Sequence, residues 1–121
     1  MLAQKYYTDS FSEILQQIAV SLRSRDIETA RDLIKQAVIL NIDAPEPHNY
    51  LGILYEMTGD EIAARKHYRA AYALDPTYKP ACRNLERLAE FKIGFKSRNY
   101  DYGEQMQEDT QKRGNKNARK K

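Results

Sequence analysis

The sequence repeats itself at an interval of 34 residues. Sliding it by that distance sets Asp26 on Asp60, Ala30 on Ala64, Ile34 on Tyr68, Ala37 on Ala71 and, further on, Leu51 on Leu85. After the aspartates the matched residues are small or apolar and lie three or four apart, the spacing of one helix face, so these are packing positions rather than surface ones. A unit of this kind covers its apolar face only by stacking on its neighbours, and a solvating element must close the end of the stack.

Helical spacing runs through almost the whole sequence before residue 96: Ile14, Leu15, Ile18 and Leu22; Ile27, Ala30, Leu33, Ile34 and Ala37; Leu51, Leu54 and Tyr55; Ala64, Tyr68, Ala71 and Tyr72; Leu85, Leu88 and Ala89. Sustained strand alternation is absent, and five Gly and four Pro leave little turn chemistry for a many-stranded fold. Ser10 with Glu13 reads as a capping box, Asp26 opens a second helix, Asp43-Ala44-Pro45 and Asp75-Pro76 are breaks, and Gly59-Asp60 is a tight turn. These signals predict five helices near 10–24, 26–40, 46–58, 60–74 and 78–95, joined by connections short enough to make neighbours antiparallel.

The run His48-x2-Leu51-Gly52-x2-Tyr55, then Gly59, Ala64-x3-Tyr68, Ala71 and Pro76, resembles a tetratricopeptide repeat, with His48 in the slot that the family fills with Trp. Residues 45–78 are the full-quality copy. Residues 11–44 keep Ala30, Ile34 and Ala37, but the first helix fits better with a turn one residue short, which pairs Leu15 with His48, Ile18 with Leu51, Ala19 with Gly52 and Leu22 with Tyr55. After residue 78 one further helix places Cys82, Leu85 and Ala89 in core slots, yet Glu86 stands where Gly52 does, and a carboxylate in a close helix crossing carries a heavy desolvation cost. Residues 78–95 are therefore expected to be a capping helix. The chain resembles a small, bacterial-type member of the family with about two and a half repeats. The fold class expected is all-α, an α-α superhelix of antiparallel helix hairpins with a C-terminal capping helix and a disordered basic tail. The partition is 1–9 as an N-terminal segment, 10–96 as the repeat domain, and 97–121 as a charged flexible tail.

The resemblance implies a non-enzymatic interaction module or adaptor that binds a peptide or protein segment in a concave groove lined by the first helix of each pair. Asn49, Ile53 and Glu56 share one stripe of the second repeat off its core face, and moving on by 34 gives Arg83, Arg87 and Glu90. Asn49, Ile53, Glu56, Arg83 and Arg87 are the candidate contacts, a set that suits an extended, acidic partner; the alternative is that Arg83 and Arg87 are ordinary solvated helix charges paired with Glu86 or Glu90. One subclass of the family grips the C-terminal carboxylate of chaperones with Lys and Asn from its first repeat. Here those slots hold Leu15 and Ala19, or Gln16 and Val20 in the other register, so that function is not expected.

Other chemistries find little support. His48 fills a packing slot and His67 adjoins Tyr68, with no second His, Cys or paired carboxylate at ligand spacing, and no Gly-rich nucleotide motif is present, so neither metal nor cofactor is expected. Cys82 cannot form an internal disulfide and reads as a small core side chain. Nine tyrosines raise RNA stacking, but Tyr55 and Tyr68 are repeat core, while Tyr100 and Tyr102 read as plain aromatics in the tail. Formal charge is +3 overall, with Lys112, Arg113, Lys116, Arg119, Lys120 and Lys121 carrying +6 over the last eleven residues. That tail supplies the competing reading of a nucleic-acid or ribosome-associated accessory factor. Phe91, Ile93 and Phe95 extend an apolar surface past the last repeat slot, which points to docking of the segment with Tyr6 and Tyr7, to self-association or to a partner protein. No apolar run approaches the roughly 18 residues of a membrane span, and a cytoplasmic location is expected.

Overall fold

The computed structural model describes residues 2–90 and 98–103, with side chains from Ser10 onward. Five helices appear among the described residues and no strand: α1 (Leu2–Arg23), α2 (Ile27–Leu40), α3 (Glu46–Met57), α4 (Glu61–Leu74) and α5 (Lys79–Ala89). Each begins or ends on local chemistry that the sequence carries. The Asp26 carboxylate accepts the Thr29 amide at the start of α2, and the Asp60 carboxylate accepts the Ala63 amide at the start of α4. Pro47 and Pro80 sit in the first turns of α3 and α5, where a missing N–H breaks no helical bond. After α2 and α4 the chain leaves through matching turns, Asn41 accepting the Asp43 amide and Asp75 accepting the Thr77 amide.

The helices pair as α1 on α2 and α3 on α4, with α2 against α3, α1 against α3 and α5 against α4. This is an α-α superhelix of two antiparallel hairpins closed by α5. Ala30, Ile34 and Ala37 on α2 and Ala64, Tyr68 and Ala71 on α4 are buried, so the residues that repeat in sequence are the ones that pack. Tyr68 lies across Gly52 so closely that a methyl group at Gly52 would overlap its ring. Glu86, at the corresponding slot of α5, is exposed, and among the described residues no helix crosses α5 there.

Two expectations change. The Ser10–Glu13 capping box does not start a helix; α1 runs through it from Leu2, since Ser and Glu are tolerated inside a helix when the apolar face continues. Nor is the turn of the first hairpin one residue short. Arg25 donates to Leu22 and Asp26 to Ser21, as Gly59 does to Glu56 and Asp60 to Tyr55, so the two turns superimpose at a strict 34-residue offset. Leu22 then corresponds to Glu56 and Ile18 to Gly52. The register was hidden because Arg25, with φ 61°, adopts the left-handed conformation that Gly59 adopts with φ 89°. α5 ends at Ala89, and residues 91–97, with Phe91, Ile93 and Phe95, lie outside the described residues, as do the side chains of Tyr6 and Tyr7 and the segment 104–121. Among the described residues no helix is long and apolar enough to cross a membrane.

Candidate partner-binding groove

The first helices of the second hairpin and of the end unit, α3 and α5, meet through side chains. Asn84 on α5 donates from Nδ2 to Asn49 Oδ1 on α3 at 2.8 Å, with both residues fully buried. Three residues further along α5 and seven along α3, the Arg87 guanidinium clasps the Glu56 carboxylate through both Nη atoms, at 2.9 and 2.5 Å. Glu56 also accepts from the Tyr68 hydroxyl at 2.6 Å, and Arg87 Nη2 donates to Asn84 Oδ1 at 3.1 Å. Only 11% of the Arg87 side chain and 8% of the Glu56 side chain are exposed, so this ion pair belongs to the floor of the groove. Burial alone would lower the Arg87 pKa, but its hydrogen bonds and attraction to Glu56 hold it above the ordinary value. Burial first, and then the Glu56 charge, drive the Tyr68 phenol far upward, which keeps it a donor.

A stretch of the chain's own C-terminal part, residues 98–103, lies on this floor, with the Tyr100 amide donating back to the Arg98 carbonyl at 2.9 Å. The Asp101 carbonyl accepts from Asn49 Nδ2 at 2.9 Å and from Asn84 Nδ2 at 3.0 Å, while the Asp101 amide donates to Asn84 Oδ1 at 2.9 Å. The Asp101 carboxylate pairs with Arg83 Nη1 at 2.9 Å and also accepts the Gly103 amide at 3.0 Å. Tyr100 and Tyr102 meet edge to face, with Arg87 over the first ring at 5.0 Å and Arg23, from the end of α1, over the second at 4.5 Å. Both rings join the main apolar cluster, at 8% and 7% exposure. Gly103 has φ 88°, and a Cβ there would stand 2.6 Å from the Tyr78 hydroxyl.

The five residues singled out from sequence thus have different places. Asn49 and Arg83 hold the seated segment, Arg87 stacks on it while bound to Glu56, and Glu56 is sequestered by Arg87 and Tyr68. Ile53 is fully buried in the core, so its side chain is no part of an open stripe. Sequence reasoning gave no place in the groove to Arg23, nor to Tyr100 and Tyr102, which read as tail aromatics. Asn84 was noticed only as a neighbour of Arg83, although an amide between Ala81 and Leu88 on the buried face of α5 signals a polar group that needs partners.

The helix-turn-helix of α3 and α4 brings together another pair. The His48 and His67 rings stack with Nδ1 atoms 3.2 Å apart, so one neutral ring donates to the other, and Tyr55 stacks on His67. Burial lowers both imidazole pKa values, and the His48 charge adds to the lowering at His67. Among the described residues no three His, Cys, Asp or Glu side chains gather as a metal site. Cys82 is half-buried and unpaired by any disulfide.

Residues 45–78, the hairpin of α3 and α4, match the family model of the tetratricopeptide repeat. No curated protein and no solved structure matches the chain.

Proposed function

We propose that this chain, whose residues 45–78 match the tetratricopeptide repeat, a family of protein-interaction modules in general, is a non-catalytic adaptor holding an extended segment of a partner protein on its concave face. Asn49, Asn84 and Arg83 make the contacts, and the Glu56–Arg87 pair fixes the floor beneath them. One observation supports this reading above the others: two buried amides on neighbouring first helices together satisfy both the N–H and the C=O of one residue, Asp101, in a segment that is neither helix nor strand. Main-chain capture of this kind lends affinity to any extended segment, and side-chain contacts then select among them. The Arg83 guanidinium, 47% exposed, favours an acidic side chain next to the captured peptide unit.

The test compares proteins retained from a native lysate by immobilised wild-type chain and by the Arg83→Glu/Asn84→Ala variant. Partners held by the wild type should be lost from the variant at unchanged far-UV circular dichroism, and deletion of residues 111–121 should leave them in place. Equal retention by the variant overturns the groove assignment.

A further inference from the structure

The concave face already carries a ligand-like segment, and its contacts define a chemical pattern. Asp101 supplies a carboxylate to Arg83 and a peptide unit to Asn49 and Asn84. The residues on either side supply aromatic faces to the Arg87 and Arg23 guanidiniums. Gly103 supplies a backbone that turns left-handed where a side chain would strike Tyr78. From this pattern we infer that residues 98–103 are a stand-in for an external ligand, an extended protein segment with an aspartate between two aromatic residues and a glycine after them, and that the two compete for one seat. The inference rests on the proposed reading of the groove as a partner site and adds to it both the partner's chemistry and the competitor.

The contacts described for Tyr100, Asp101 and Tyr102 are ones an outside segment of the same pattern can reproduce. The segment forms no helix or strand, and its one ion pair is half exposed on the Arg83 side, so lifting it off leaves both hairpins and their buried alanine contacts intact. Its advantage is the tether: residues 91–97 join it to α5, and a short connection raises the effective concentration to the millimolar range. A partner segment must outbind that local copy, so its apparent affinity is reduced by the fraction of chains whose seat is already filled.

The experiment uses the full chain and a fluorescein-labelled peptide, Arg-Asn-Tyr-Asp-Tyr-Gly, followed by fluorescence anisotropy. Two variants release the internal segment without altering the groove: Asp101→Arg, which turns the contact with Arg83 repulsive, and Tyr100→Ser/Tyr102→Ser, which removes both rings. Each should bind the peptide roughly tenfold more tightly than wild type or better, and adding Asn84→Ala to either should abolish binding. Equal, Asn84-dependent binding by wild type and released chains overturns the competition while leaving the groove reading standing. No binding by either released chain, with folding verified by circular dichroism, overturns the ligand pattern, and the lysate comparison then judges the groove reading separately. A wild-type dimer that Asp101→Arg converts to monomer assigns the seat to a second copy of this chain and likewise overturns the inference.

Discussion

Asn84 stands where the interactions of the concave face converge: it donates to Asn49 and to the Asp101 carbonyl, and accepts from the Asp101 amide and from Arg87. Such an arrangement makes the neighbouring ion pair expensive to break from one side. Arg87→Met strands the Glu56 carboxylate in a buried place and is expected to cost about 3–5 kcal/mol in urea unfolding, with Glu56→Gln added to the same chain recovering part of the loss. For the same reason Arg87→Glu is a poor probe of binding, because it sets two carboxylates face to face in the floor. The histidine pair gives a pH signature. Burial depresses both imidazoles below the ordinary histidine value of 6.5, so the unfolded chain takes up protons first as the solution is acidified. Stability is therefore full above that value and declines as pH falls through it toward the folded-state values. Thermal melts between about pH 7.5 and pH 5.5 should show a decreasing midpoint, and His48→Gln/His67→Gln should flatten that slope.

At the scale of helices and turns, the crossing of α3 over α4 leaves no room at Gly52. Gly52→Ala should destabilise by about 1–3 kcal/mol, because the Tyr68 ring is fully buried and tied by its hydroxyl to Glu56. The first turn offers the converse case: Arg25→Gly places a glycine where φ is positive and should raise stability by about 0.5–1 kcal/mol in the same assay. The two substitutions also mark how far the elements could be read from sequence. Gly52, Ala64 and Tyr68 announced their crossing because small and large residues recur at helical spacing, and Asp26 and Asp60 announced the starts of α2 and α4. The turn at Arg25 was illegible, since a non-glycine residue in a left-handed conformation leaves no compositional trace. The beginning of α1 was masked by Ser10, a residue that caps well but also sits inside helices. The seat for 98–103 was out of reach for a different reason. It joins side chains from α1, α3 and α5 to a segment beyond them, and no local periodicity links Asp101 to Asn49.

For the molecule as a whole, the filled groove ties ligand affinity to folding stability. If the internal segment holds its seat by a factor of about ten, closure stabilises the native state by about 1.4 kcal/mol. Tyr100→Ser/Tyr102→Ser should therefore lower the unfolding free energy by roughly that amount, far less than the loss of two rings from a hairpin core, and chemical denaturation measures it. The amide network also has a handedness along the chain that it holds. Asn84 cannot rotate end for end, because its Nδ2 is committed to Asn49 Oδ1 while its Oδ1 accepts a hydrogen bond from Arg87. Its donor thus faces a carbonyl and its acceptor faces an amide, in that order. A polypeptide lying N-to-C in the opposite sense presents these groups exchanged, and a proline at the central position presents no N–H at all. Whatever occupies this face must run in the same direction as residues 98 to 103 and must keep an ordinary peptide N–H at its midpoint.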